Sequence, residues 1–236
     1  MHFNTQATLT IWQNFHIFGE KFKNFKKMSQ YEPTAEERIL AAAKDHFVLK
    51  GYSGARMQEI ANLAGVNKAL LHYYFENKEF LFSRVMENTL ETLSGLCKVL
   101  TNRETGTLHQ RFRLLVNKFL QLMLREPFLP NFILHEAQQN PEIMYPLLQR
   151  YKARLGEVQT EIDHEADSGR MQRVDARYLL VNTFSVAIFP FLSMQVAGPI
   201  VFHDNQQELG KMLDQRQAAV DELVLSKVFF SQNRIS

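Results

Sequence analysis

The chain has 236 residues, of which 45% are hydrophobic and 22% are charged, and this composition excludes a disordered or fibrous protein. Its formal net charge is only +2, so any binding of nucleic acid must depend on a local basic patch rather than on the field of the whole molecule. Ten glycines and seven prolines are few for this length, and with helical periodicity along most of the chain they predict an all-α protein.

Residues 1–32 differ in composition from the rest of the chain and are rich in Phe, Asn, Lys and Thr. They lack the basic start and the uninterrupted apolar core of a signal peptide. We expect this extension to be disordered or to precede the native start, with Met28 as the first residue. The alternative is an amphipathic arm that contacts a membrane, because apolar residues recur at helical spacing, namely Ile11, Trp12, Phe15, Phe18, Phe22 and Phe25.

The first predicted helix begins after Thr34. Thr34 and Glu37 have the spacing of a capping box, in which each side chain accepts a hydrogen bond from the backbone N–H of the other residue. Gly51 is the expected end of this helix. The residues between them form one apolar stripe, which consists of Ile39, Leu40, Ala43 and Phe47.

Two short helices are predicted next, at residues 56–63 and 68–74. Between them, Gly65 can adopt the left-handed conformation of a tight turn, and Asn67 is a favourable N-cap for the second of the pair. Asn77 is placed to cap a longer fourth helix. Two short helices joined by a glycine turn, with another helix packed across them, are typical of a helix-turn-helix motif.

The fourth helix contains the only cysteine of the chain, Cys97. A single cysteine excludes an internal disulfide and a cysteine-based zinc cluster, and it favours a reducing cytoplasm. Because Leu96, Val99 and Leu100 surround it in the sequence, we expect Cys97 to be a buried structural thiol rather than a redox sensor.

The order and spacing of residues in this segment match a specific pattern. It comprises Gly51-Tyr52, Met-Gln-Glu-Ile-Ala at 57–61, Ala-Gly-Val-Asn-Lys at 64–68, and Leu-His-Tyr-Tyr-Phe-Glu-Asn-Lys-Glu-Phe-Leu at 71–81. With these residues, the stretch from 34 to 82 resembles the TetR family of bacterial transcriptional regulators. The resemblance implies a helix-turn-helix DNA-binding domain at residues 33–80 and a helical effector-binding and dimerisation domain at residues 81–236.

The third helix is the element expected to enter the major groove, with its N-terminal residues nearest the base edges. Base contacts are predicted for the residues on its outward side and for one residue of the second helix, namely Lys68, Ala69, Leu70, His72 and Gln58. Phosphate contacts, which set the docking register, are predicted for Arg56, Tyr73, Tyr74 and Lys78. The alternative for Tyr74 is a place in the core, and His72 could contact either a base or a phosphate.

The chain departs from the family pattern at three places. Gly54-Ala55-Arg56 stands where Thr or Ser usually caps the second helix, so capping falls to Ser53 or is lost, at a cost of about 1 kcal/mol. Ala69-Leu70 replaces the common Gly-Thr, and His72 replaces the first aromatic residue of the usual run. We expect these changes to alter the operator sequence and to leave the docking mode unchanged.

The rest of the chain reads as further helices, predicted at 107–125, 130–139, 141–166, 174–196 and 206–230. The stretch 178–202 contains no charged residue, which allows a membrane span, but Asn182, Pro190, Gln195 and the Gly198-Pro199 break oppose one. The family resemblance implies instead that this helix and the last one form a four-helix dimer interface with a second copy.

A small hydrophobic effector in the C-terminal domain is likewise implied by the resemblance. Candidate residues for its pocket are aromatic, Met and His side chains, namely Phe119, Met123, Phe132, His135, Tyr151 and Phe184, with Phe128, Tyr145 and Phe189 beside them. His135-Glu136 and His164-Glu165 each lack a third ligand at helical spacing, so we expect neither a metal site nor a cofactor nor enzymatic activity.

The sequence therefore predicts a cytoplasmic homodimeric regulator, most simply a repressor that a small hydrophobic effector releases from a palindromic DNA operator. One alternative is a DNA-bound adaptor that has no small-molecule ligand. Another is a helical ligand-binding protein that has lost DNA binding, in line with the unusual Gly54-Ala55-Arg56 and Ala69-Leu70.

Overall fold

The structure, a computed structural model, describes residues 32–201 and 206–230. The predicted extension lies outside these residues, except for Glu32. The regular elements of the described residues are helices, so the predicted all-α class is confirmed. They are α1 Ala35–Gly54, α2 Met57–Ala64, α3 Lys68–Tyr74, α4 Lys78–Thr101, α5 Leu108–Arg125, α6 Leu129–Gln139, α7 Tyr145–Asp167, α8 Ala176–Val201, α9 Gln206–Asp214, α10 Arg216–Val220 and α11 Ser226–Val228.

The predicted beginning of α1 is confirmed. Thr34 Oγ1 accepts a hydrogen bond from the Glu37 N–H at 3.2 Å, and the Glu37 carboxylate accepts one from the Thr34 N–H at 2.8 Å. Gly51 has φ +68°, a conformation that favours glycine, and it interrupts the regular helix one turn before Gly54. The stretch 52–54 is therefore a short continuation beyond the predicted end.

Local signals also define the helix-turn-helix. The side chains of Asn67 and Asn77 accept hydrogen bonds from the N–H groups of Leu70 and Phe80, both at 2.8 Å, and so cap α3 and α4 as predicted. Gly65 has φ +67° at the end of α2. Arg56 is the N-cap of α2 and makes no side-chain cap bond in the described part of the chain, so the usual cap is lost there.

An aromatic cluster joins the helix-turn-helix to the rest of the molecule. The ring of Phe82 on α4 lies 5.1 Å from that of Phe47 and 4.9 Å from that of Tyr52, both on α1, and 6.2 Å from that of Phe132 on α6. We call α1–α3 the head and α4–α11 the body. Because Phe82 contacts both, the buried core is continuous from the head into the body.

Polar contacts add to this connection. Lys44 on α1 pairs with Glu126, the residue that ends α5, at 2.5 Å. Within the body, the buried guanidinium of Arg111 donates to the Leu100 carbonyl in the last turn of α4 and pairs with Glu161 on α7. Arg111 therefore joins α4, α5 and α7.

Two local features of the body follow from its sequence. Cys97 is buried within α4, as predicted. Thr107 and Gln110 form a second capping box at the start of α5, with bonds of 2.9 and 3.3 Å, which the sequence analysis did not identify.

A 3-10 turn, Pro141–Met144, precedes α7, whereas one helix had been predicted from residue 141.

The predicted end of α8 was wrong. The helix continues through Gly198-Pro199 to Val201, because neither residue breaks the backbone there. By length and composition alone, the window Ala176–Ser193 could cross a membrane, and 39% of it is buried inside the structure. The exposed residues of this window lie on one side of the helix, while residues such as Thr183, Ala187 and Phe191 are buried on the other.

The last helix was predicted as continuous over 206–230, and this was also wrong. Gln215, at φ −83° and ψ 0°, leaves the helical conformation between α9 and α10. A π-helical turn, Asp221–Leu225, then separates α10 from α11. This break brings Arg216 against α8, where it donates to the backbone carbonyl of Val186.

Candidate nucleic-acid interface

The turn between α2 and α3 is fixed by its backbone. The Gly65 N–H donates to the Asn62 carbonyl at 3.2 Å and the Val66 N–H to the Ala61 carbonyl at 3.0 Å, which closes the end of α2. Leu71 is fully buried against the core of the head. Since α3 is anchored through Leu71, the opposite side of this helix faces solvent.

The structure brings the predicted base-contacting residues to this outer surface. Lys68, Ala69 and His72 are exposed on α3, Gln58 is exposed on α2, and Leu70 is half-buried. The Gln58 amide nitrogen donates to Asn62 at 3.0 Å, so its carbonyl oxygen and its second N–H remain for a contact outside the chain. A lysine donor, a methyl group and an imidazole on one helix face have the chemistry to read base edges.

The predicted phosphate contacts fall into two groups. Arg56 and Tyr73 are exposed at the edges of this surface, and the side chain of Tyr73 is 81% exposed. Tyr74 is half-buried and packs against the core of the head, so its ring is largely used in packing. The rings of Tyr73 and Tyr74 meet edge to face at 5.3 Å, which restricts the orientation of the exposed ring.

Lys78 makes contacts that the sequence analysis did not anticipate. Its ammonium donates to the Ala55 carbonyl at 3.1 Å and to the Ser53 carbonyl at 3.5 Å, and it lies 4.5 Å from the centre of the Tyr52 ring. These contacts tie the start of α4 to the segment before α2. A lysine has three donors, so one N–H remains for a phosphate.

A charged cluster on the other side of α2 holds it against α1. The Glu59 carboxylate accepts hydrogen bonds from Lys50 at 2.9 Å and contacts the buried ring of His46 at 2.8 Å. The hydrogen bond from Lys50 is the main cause that lowers the pKa of Glu59, with His46 acting in the same direction and desolvation opposing both. This cluster positions α2 without contacting the outer surface of α3.

The orientation of His72 is defined by a contact to the backbone. Its Nδ1 lies 2.9 Å from the carbonyl oxygen of Glu76, just beyond the end of α3. The ring is thereby held at the exposed surface next to Lys68 and Ala69.

Four of the six candidate residues for the effector pocket lie in packed parts of the body. Phe119 and Phe184 pack edge to face at 4.9 Å, and Met123 and Phe132 are buried. His135 is exposed and the side chain of Tyr151 lies outside the described residues, so the assignment of both to the pocket stays a prediction.

Cavities are found elsewhere in the body. One of about 500 Å³ lies where α7 approaches the start of α8, and one of about 370 Å³ lies between α8 and the C-terminal helices; none of the six candidates lines either. In the described part of the chain, no three His, Cys, Asp or Glu side chains are grouped to hold a metal ion.

The geometry defines a helix-turn-helix protein whose second short helix presents an exposed polar face. Comparison with known proteins agrees with this class. Residues 39–85 match the family model described as "Bacterial regulatory proteins, tetR family". The chain is 41% identical to the transcriptional regulator RutR of Escherichia coli K12 over 69 residues. This match covers 29% of this chain and 32% of RutR.

A second relative is the transcriptional activator FasR of Mycolicibacterium smegmatis, 36% identical over 109 residues, or 45% of this chain and 44% of FasR. The matches thus span less than half of these relatives. Among solved structures, a protein of Saccharomonospora viridis assigned as a transcriptional regulator and crystallised with choline aligns with a TM-score of 0.62 at 17% identity, over 84% of this chain and 98% of that one. In its helix-turn-helix segment, the chain is similar to the tetR family of bacterial regulatory proteins.

Proposed function

We propose that the protein is a cytoplasmic, homodimeric transcriptional regulator that binds a palindromic DNA operator through α3. The observation that supports this most strongly is the placement of Lys68, Ala69 and His72 on the exposed face of a helix whose opposite side is anchored by Leu71. This is the geometry in which a recognition helix presents its side chains to the major groove. The family match covers the same segment.

The dimer interface that we propose is an exposed stripe on α8. Its members recur at helical spacing, namely Tyr178, Val181, Asn182, Ser185 and Phe189. The side chains of Val181 and Phe189 are 62% and 64% exposed, which is unusual for large apolar groups on one face of a helix. The groove of about 370 Å³ between this stripe and Leu223 offers a matching surface for a second copy.

A two-fold arrangement of this kind has a consequence for the DNA. Equivalent stripes pair in an isologous dimer, and we propose that its two-fold axis runs from body to head, which places both α3 helices on the same side of the assembly. Two recognition helices then contact half-sites about one helical turn apart, roughly 34–36 Å. The operator is therefore expected to be a palindrome.

Regulation by a small hydrophobic effector is the second part of the proposal. The aromatic and Met residues between α5 and α8, which include Phe119, Met123 and Phe184, provide an apolar region that an effector can open. The choline complex of the Saccharomonospora viridis protein supports a small molecule as the class of ligand, without identifying it for this chain. An effector that binds the DNA-free form more tightly would release the operator, as in a repressor.

The contacts between head and body would transmit the binding of an effector in the body to the DNA-binding helices of the head. The Phe47–Phe82 ring contact and the Lys44–Glu126 ion pair connect the head to the body, and Phe82 also contacts the candidate pocket residue Phe132. Movement of α5 or α6 would shift α4 and change the separation of the two heads. Only a matched separation lets both α3 helices dock at once.

In vitro selection of random duplex DNA with the full chain tests the proposal. We expect a palindromic consensus, with affinity that falls as salt rises. A thermal-shift screen of apolar small molecules should then find compounds that stabilise the protein and lower its affinity for the selected DNA. Selection of no consensus at about 150 mM salt would contradict DNA recognition, while stabilising compounds without effect on DNA binding would contradict the regulatory part.

A further inference from the structure

His72 is held in a way that determines which of its nitrogens carries the proton. Its Nδ1 lies 2.9 Å from the Glu76 backbone carbonyl oxygen, and a carbonyl oxygen can only accept a hydrogen bond. In the neutral ring Nδ1 must therefore be the donor. The other nitrogen, Nε2, is then unprotonated and can only accept.

The position of the ring places this acceptor on the outer surface of the head. His72 is exposed and lies one turn beyond Lys68 on α3, so the two side chains share a face. In the described part of the chain, the contact with Glu76 is the only hydrogen bond that the structure shows for the His72 ring. Nε2 lies across the ring from that contact and is available to a ligand.

An acceptor at this place cannot bind a phosphate, since phosphate oxygens are themselves acceptors. In the major groove, the hydrogen-bond donors are the N6 amino group of adenine and the N4 amino group of cytosine. Guanine and thymine present acceptors at the corresponding positions, and these would face the lone pair of Nε2.

From these contacts we infer that His72 is a specificity-determining residue that selects an adenine or cytosine amino group at one position of each operator half-site. The inference rests on the proposed DNA-binding function. It narrows the role of His72 from a base or phosphate contact to the reading of one donor. The Glu76 carbonyl then sets the tautomer of the His72 ring and thereby the base preference.

The tautomer can be measured without DNA. In protein labelled with ¹⁵N at histidine, at about pH 8 where histidine side chains are ordinarily neutral, we expect His72 to carry its proton on Nδ1. His72→Ala assigns the signals. A proton on Nε2 would overturn the inference, because that nitrogen would then be a donor.

Base reading is tested with operators selected by the wild-type chain, at the same pH. Every base pair carries one such amino group, on its adenine or its cytosine. One position per half-site should therefore prefer one base pair over the others, and His72→Ala should remove that preference alone. Replacing the preferred base with an analogue that lacks the amino group, purine for adenine or 2-pyrimidinone for cytosine, should weaken wild-type binding by about threefold to tenfold and leave His72→Ala binding unchanged. His72→Phe, which keeps a ring without nitrogens, should behave as His72→Ala does.

Tyr73→Ala is the matched control, since it removes a neighbouring exposed aromatic side chain predicted to contact phosphate and should weaken all sequences alike. The inference is overturned if the analogue weakens wild-type and His72→Ala binding equally, or if it weakens neither. A wild-type chain that selects no consensus at all contradicts the proposed function itself, whereas a consensus unaffected by His72→Ala contradicts only the role of His72.

Discussion

The guanidinium of Arg216 donates to the backbone carbonyl of Val186, with Nε at 2.6 Å from the oxygen. Four residues after Val186, in the middle of α8, stands Pro190, which has no N–H to bond that carbonyl as a helical residue would. Arg216 therefore replaces the missing helical donor from another helix. Burial of its guanidinium lowers the pKa of Arg216 from the ordinary value.

The first prediction follows from this replacement. Arg216→Met should lower the free energy of unfolding by about 1–3 kcal/mol, because the Val186 carbonyl loses its partner. In a Pro190→Ala background the restored N–H can bond the same carbonyl, so the cost of Arg216→Met should fall. Urea denaturation of the four proteins of this double-mutant cycle measures the difference.

Arg173→Met is the control, since this exposed arginine pairs only with surface carboxylates and should change stability by less than about 0.5 kcal/mol. An equal cost of Arg216→Met with and without Pro190 would show that the Arg216–Val186 contact does not compensate the proline.

The second prediction concerns the stripe on α8. Val181→Glu should convert the proposed dimer into a monomer, because a second copy would have to bury an unpaired carboxylate at the centre of the interface. Light scattering coupled to gel filtration measures the mass. Leu134→Glu places the same charge on α6, where the leucine is 47% exposed, and should leave the dimer intact. Dissociation by both variants, or by neither, would contradict the assignment of the interface to α8.

The third prediction is a pH dependence in the head. Because Lys50 and His46 lower the pKa of Glu59, its ionised form favours the folded state. This stabilisation is fully present above the ordinary pKa of 4.5 and is lost as the pH falls through the lower pKa of the folded state. Glu59→Gln should therefore lower the Tm at pH 7, and the difference from wild type should shrink below about pH 4.5. Glu91→Gln, on the exposed surface of α4, should follow the wild-type profile.

Much of the head could be predicted from the sequence because its signals are local. Thr34, Asn67 and Asn77 act on backbone groups three residues away, and Gly65 acts through its own φ, so each can be recognised in a short window. The exposure of Lys68 and His72 follows from the burial of Leu71 on a helix of known periodicity. Helical periodicity could not decide whether Nε2 of His72 donates or accepts a hydrogen bond, because this depends on the position of the Glu76 carbonyl.

The features that were missed depend on contacts between distant segments. Arg216 and Val186 are 30 residues apart in the sequence, and Lys78 and Ala55 are 23 residues apart. No local sequence pattern therefore predicts either contact. The continuation of α8 through Pro199 was missed because a proline inside a helix usually kinks or breaks it. The candidate residues of the effector pocket were chosen by residue type, and residue type does not distinguish a packed core from a cavity.

The fourth prediction separates the two roles of Lys78. Lys78→Ala should lower the Tm, because the Ser53 and Ala55 carbonyls lose a donor that ties the start of α4 to the segment before α2. If its third N–H also contacts a phosphate, the variant should bind all sequences more weakly and flatten the dependence of log K on log salt by about one unit. A lower Tm with an unchanged salt slope would show that Lys78 stabilises the head through its internal hydrogen bonds and does not contact a phosphate.

The central claim is that α3 reads DNA sequence, and the base preference of Lys68→Ala tests it most directly. Fluorescence anisotropy with the selected palindrome and with every single-base variant of one half-site should show that wild type discriminates at the position facing Lys68 by about 1–3 kcal/mol. Lys68→Ala should lose discrimination at that position and keep it at the others. If Lys68→Ala instead weakens binding to every sequence equally, as expected for a phosphate contact, or if wild type discriminates at no position, then α3 is not the recognition helix.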